Sequence, residues 1–117
     1  MNEAQILAKT YHDRLSVTRR QLATDESGES IMQDMDVYKD VPCALSGGSG
    51  SAAQREDGRR VSDKEMVIFA GPEILMKEMD QAVVRTQAGQ VFRGVTGRTC
   101  SYACSHSETV LRLESMA

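Results

Sequence analysis

The sequence predicts a mainly β fold: a small antiparallel β-barrel of about six strands, with a short N-terminal helix and one long flexible loop. Three observations carry this. Short runs such as Leu15-Ser16-Val17-Thr18-Arg19 alternate apolar and polar residues, as a strand with one buried face must. Turn residues separate these runs at short intervals. No helical stretch follows each strand, so the rhythm of a parallel βαβ sheet is missing. At 117 residues the chain is long enough to form one domain, spanning 1–117, with a core that needs no metal or disulfide.

The elements follow in order. Asn2 can cap a helix, with Gln5 three residues later as in a capping box. Ala4, Leu7, Ala8 and Tyr11 then share one face. About two turns are too short to be stable alone, so this helix must dock on its own barrel or on a neighbouring subunit. Leu15 and Val17 point inward from the first strand. Ala23 to Ser30 is polar and reads as a turn or loop. Ile31 to Tyr38 alternates again, with Met35 and Val37 on one face and Asp34 and Asp36 on the other. Val37-Tyr38 leads on to Val41-Pro42-Cys43-Ala44-Leu45. Pro42 has no N–H, so it belongs at a sheet edge or beside a bulge.

Glu65 to Ala70 is the best central strand, and Gly71-Pro72 ends it. Glu73 to Asp80 fits one or two helical turns or an extended connection. Ala82 to Thr86 and Val91 to Val95 form a hairpin about Gln87-Ala88-Gly89-Gln90. Ser107 to Leu113 closes the chain, with Leu111 and Leu113 inward.

The loop from Ser46 to Ser62 begins Ser46-Gly47-Gly48-Ser49-Gly50 and carries Arg55, Arg59 and Arg60. It has no large apolar side chain before Val61, so packing cannot offset the entropy of fixing it. A flexible chain of about 17 residues spans roughly 20–25 Å, enough to reach beyond its own domain. The glycine run is not a phosphate-binding loop, which needs Gly-Lys-Ser/Thr opening a helix. Its arginines are partly balanced by Glu56 and Asp57. They read as solvated charge, or as contacts to a passing polyanion or a ring neighbour.

A net charge of -3 argues against a protein whose main task is gripping nucleic acid. No apolar run approaches a transmembrane span. Met1-Asn2-Glu3-Ala4-Gln5 does not read as a secretory signal, and three cysteines, an odd number, read as reduced intracellular thiols.

Cys100, Cys104 and His106, with Cys43 elsewhere, are the sharpest chemical candidates. Three Cys and one His can hold zinc, but Cys-x3-Cys-x-His is not a common zinc spacing. Alternate strand positions would put Cys104 and His106 on one face. The alternative is thiols acting as small hydrophobes. A Cys–His nucleophilic pair would also need an orienting third group. An oligonucleotide- or peptide-binding barrel would need an aromatic platform, and the five aromatics Tyr11, Tyr38, Phe69, Phe92 and Tyr102 are also wanted for the core.

An ordered set of motifs spans Tyr11 to Leu113. It comprises Tyr11-x-Asp13, Val17, Arg19, Val37-Tyr38, Pro42-Cys43-x-Leu45-Ser46, Phe69-x-x-Pro72, Asp80 before Val83-Val84, the Gly89 turn, and Tyr102-x-x-Ser105-His106-x-Glu108. The set resembles the head-closure proteins of tailed bacteriophages and phage-like prophage elements, also called stopper or head-tail connector proteins. The chain departs from them at Glu78-Met79-Asp80, where related chains often have Gly before the Asp.

The resemblance implies a non-enzymatic virion protein of the neck, without cofactors or metal. It implies a small β-barrel assembled as a homo-oligomeric ring, sixfold or twelvefold, between the portal and adaptor above and the tail terminator or tail tube below. Packaged double-stranded DNA passes through such a ring without sequence-specific binding, and no membrane is involved. In some members a long loop projects into the DNA channel. Ser46, Gly47, Gly48, Ser49, Gly50, Arg55, Arg59 and Arg60 lie in the matching place. Tyr38, Pro42, Cys43, Ser105, His106 and Glu108 would be structural, with Ser105 and Glu108 as hydrogen-bond partners of His106.

Overall fold

The alternating stretches pair into one antiparallel sheet. A computed structural model describes residues 2–47 and 65–114. After helix α1 (Glu3–Ala8) come strands β1 (Asp13–Thr24), β2 (Ser30–Gly47), β3 (Glu65–Ala70), β4 (Gln81–Arg85), β5 (Val91–Thr96), β6 (Cys100–Tyr102) and β7 (His106–Leu113). The sheet order is β3-β2-β1-β4-β5-β7-β6, and β3 also pairs with β7. Six strands therefore close into a barrel-like ring of pairings. The short β6 adds to β7 beside its start, through Tyr102 opposite His106.

The inward phase of the strands supplies the core. Leu15, Val17, Cys43, Ile68, Ala70, Ala82, Val84 and Leu111 are buried, and Ile74 and Met76 close it from the β3–β4 connection. Phe92, Leu45 and Leu113 pack around this cluster. Gly94 is the one place where β5 and β7 come too close for a side chain: a Cβ there would overlap the backbone carbonyl of Arg112.

The helix forms as its capping box dictates. The Gln5 N–H donates to Asn2 Oδ1 at 2.8 Å, and the Asn2 N–H donates to Gln5 Oε1 at 3.0 Å. No residue of α1 is fully buried; Ala4 and Leu7 are half-buried and Ala8 is exposed.

Several boundaries differ from the sequence expectation. Strands β1 and β2 run past the barrel as a two-stranded ribbon. Thr24 pairs with Ser30, so the turn shrinks to Asp25–Glu29. Asp25 organises that turn: Oδ1 accepts from the Ser27 hydroxyl at 2.6 Å and from the N–H groups of Ser27 and Glu29 at 2.9 Å. Gly28 supplies the positive φ of 90°.

From Val37 to Val41 β2 is one continuous strand with two register shifts against β1, between Leu15 and Val17 and between Val17 and Thr18. Val17 faces Tyr38 and Thr18 faces Asp36, so Val37 has no partner on β1 and packs beside the core. Pro42 faces Arg14 on β1, and pairing to β3 begins only at Ala44, so the missing N–H breaks no ladder.

Ser46 and Gly47 belong to β2, not to the loop as expected from their composition. They pair with Val67 and Met66 of β3, and backbone pairing overrides the lack of side-chain burial. The rest of the expected loop, with Gly48, Ser49, Gly50, Arg55, Arg59 and Arg60, lies outside the described residues. Glu73 to Asp80 is an extended connection with turns, not a helix.

Candidate functional site

Several polar residues singled out by the sequence tie one element to another, and the His106 cluster fixes a single hairpin. Asp13 opens β1 with both carboxylate oxygens engaged. Oδ2 accepts the Leu45 N–H of β2 at 2.9 Å, and Oδ1 accepts the Gln87 N–H of the β4–β5 turn at 3.0 Å. Tyr11, just before it, donates its hydroxyl to the Ala70 carbonyl at the end of β3, at 3.3 Å. Burial, and then the nearby Glu73 charge, raise the Tyr11 phenol above its ordinary pKa.

Tyr38 holds the β3–β4 connection to β2. Its hydroxyl accepts the Leu75 N–H at 3.0 Å and lies 3.2 Å from the Leu75 carbonyl. Further along that connection, the Met76 N–H donates to Thr99 Oγ1 at 2.7 Å, and Thr99 meets Thr109 of β7 at 2.6 Å.

Asp80 is 2% exposed and receives Arg19 from β1. Burial alone would raise its carboxyl pKa. Hydrogen bonds from Arg19 and from the Lys77 N–H outweigh that and hold it below the ordinary carboxylate value. Arg19 was signalled in the sequence by its phase: it continues the inward positions of Leu15 and Val17, where a charge needs a partner. Met79, just before Asp80, adopts φ 70°, in the left-handed region.

His106 begins β7. Its Nε2 is 2.8 Å from Glu108 Oε2 and its Nδ1 is 2.9 Å from Ser105 Oγ. The imidazole stacks on Tyr102 with centroids 4.9 Å apart. The hydroxyl faces Nδ1 and the carboxylate Nε2, which reverses the arrangement that primes a serine nucleophile. All four groups belong to the β6–β7 hairpin, so the cluster fixes that turn. Beside it an apolar groove of about 390 Å³ runs under α1, lined by Leu7, Thr10, Tyr11, Ala44, Phe69 and His106.

The cysteines do not converge. Cys43 is buried opposite Asp13, and burial first, then the Asp13 charge, push its thiol up to about 12. Cys100 and Cys104 are exposed. Cys104 is not on a strand with His106, as alternation had suggested, but in the β6–β7 turn at φ 68°. Among the described residues no group of three His, Cys, Asp or Glu side chains could share a metal ion.

The sequence did not reveal the β1–β2 ribbon as a surface. Leu22, Ile31, Met32 and Met35 lie on it, 41–69% exposed. Their alternation reads as ordinary strand burial until the sheet topology shows that no other described strand lies beside them.

No protein-family model and no curated protein sequence matches this chain. Its fold is similar to the solution structure of protein SF1141 from Shigella flexneri 2a. The TM-score is 0.56 at 16% identity, covering 90% of this chain and 94% of that one. At that identity the likeness concerns the fold alone.

Proposed function

We propose that this protein is a structural component of the head-tail connector of a tailed bacteriophage or phage-like element, assembled as a ring that closes the head after DNA packaging and receives the tail. One observation carries the reading. Of the polar residues of the motif set, Asp13, Tyr38 and Asp80 are occupied in joining one element to another, and His106 in fixing the β6–β7 turn. The polar groups of the motif are thus engaged in holding a scaffold together.

The described residues include a surface that suits an assembly part: a β ribbon with exposed Leu22, Met32, Ile31 and Met35. On this reading the protein is not an enzyme and uses no cofactor. Its partners are its own copies in sixfold or twelvefold symmetry, the portal or adaptor ring, the tail terminator or tube, and the double-stranded DNA in the channel. The segment carrying Gly48, Ser49, Gly50, Arg55, Arg59 and Arg60 would meet that DNA or an adjacent ring.

The test is particle assembly without the protein. Filled heads that leak DNA or fail to join tails are expected. Full heads that attach normal tails would overturn the reading. Deletion of residues 48–58 should leave the barrel folded, since shortening a loop changes closure entropy by less than about 1 kcal/mol. It should instead impair DNA retention or tail docking.

A further inference from the structure

The β1–β2 ribbon combines two properties that water does not favour together. It is a two-stranded extension, an arrangement of marginal stability on its own. It also presents Leu22 and Met32, directly opposed on one face and 69% and 56% exposed, with Ile31 and Met35 on the other. Its charge is acidic: Asp25, Glu26, Glu29, Asp34 and Asp36 stand against Arg19 and Arg20. Arg19 is turned to Asp80, and Arg20 lies 3.6 Å from Asp34.

The barrel wall beside the ribbon carries the complement. Arg14 of β1 and Arg85 of β4 are directly opposite each other, both exposed on the outer face. Like charges opposed in this way destabilise a sheet unless an acidic group covers them. Arg93 joins the same face, opposite the half-buried Val83, and Arg85 itself lies opposite Val91, which is 46% exposed. Among the described residues none of these three arginines pairs with a carboxylate. Arg14 donates to a backbone carbonyl, that of Asp40, at 3.4 Å.

We infer that the ribbon of one copy docks on the β1–β4–β5 wall of a second copy, with Leu22 and Met32 covering Val83 and Val91 while Asp34 and Asp36 meet Arg85 and Arg93. Ribbon and wall are different surfaces, so the contact can repeat head to tail, as a ring requires, or be made twice across a two-fold axis. The ring case rests on the connector reading above; the contact itself does not.

The test uses the full chain and two charge-reversed variants, Asp34→Arg/Asp36→Arg in the ribbon and Arg85→Glu/Arg93→Glu in the wall. Sedimentation is followed up to about 1 mM, where even weak specific contacts form. The unaltered chain should associate, and each variant alone should raise the dissociation constant by about tenfold or more at low salt. An equimolar mixture of the two should regain association, and unchanged circular dichroism would show that both fold. A monomer at every concentration, or a mixture that associates no better than the variants alone, overturns the inference. So does salt-sensitive binding of a short DNA duplex that the wall variant loses while self-association is unaffected, which would make the wall a DNA surface. A closed dimer keeps the contact and counts against the ring.

Discussion

Arg19 grips Asp80 in a parallel two-bond fork: Nε donates to Oδ1 and Nη2 to Oδ2, each at 2.8 Å. The pair bridges 61 residues of sequence and fastens β1 to the connection that leads into β4. The Lys77 N–H also donates to Oδ2, at 2.9 Å, so the carboxylate organises its own turn as well.

Replacement of Asp80 by Asn should cost about 2–3 kcal/mol, because Arg19 loses the charge that its partly buried guanidinium faces. The folded carboxyl titrates below its unfolded value of about 4. Its contribution is therefore full above that pH and is lost as pH falls through the folded pKa. Urea unfolding measured from pH 7 to pH 2 should show this acid limb. Arg19→Met should shift it to higher pH, and Asp80→Asn should diminish it.

Met79 occupies a left-handed conformation at φ 70° while its side chain is 68% exposed. A residue with a Cβ is strained there and glycine is not. Met79→Gly should therefore stabilise the protein by about 0.5–1 kcal/mol, after allowing for the greater freedom of glycine in the unfolded chain. A higher midpoint in thermal or urea unfolding checks it; a lower one would mean that the side chain makes a contact worth more than the strain.

His106 bridges Ser105 and Glu108 and stacks on Tyr102. His106→Ala should lower stability by roughly 1–2 kcal/mol, since Glu108 and Ser105 lose a common partner. In a double-mutant cycle, Glu108→Gln should add much less than its own effect when His106 is already absent. Loss of bound zinc or of a catalytic activity in the His106 variant would replace the structural role with a chemical one.

The three thiols should separate cleanly. Cys100 and Cys104 are exposed, whereas Cys43 is 0% exposed and held protonated by burial. A thiol reagent at pH 8 should modify two groups in the folded protein, and the third only at the rate of unfolding. Rapid reaction of all three would mean that the β1–β2 side of the barrel opens readily.

Features that depend on neighbours along the chain were legible in the sequence. The alternation of Leu15 with Val17 set the inward face, the Glu65–Ala70 strand was readable at its full length, and Asn2 with Gln5 marked the helix start. The Gly89 hairpin and the partners of His106 are equally local, since they lie within a few residues of one another.

Tertiary structure alone decided what depends on pairing at a distance. Ser46 and Gly47 look like loop, yet become strand because β3 offers them hydrogen bonds. Cys100–Tyr102 carries no strand pattern and is recruited only because β7 leaves an edge free for it. The same alternation that buries Leu15 and Val17 leaves Met35 and Ile31, opposite Arg19 and Ala23 on the same inward phase, 41% exposed, because pairing to β4 ends at Thr18 and, among the described residues, no other strand continues beside the ribbon. Period-two patterning states which side chains share a face; only the completed sheet decides whether anything lies against it.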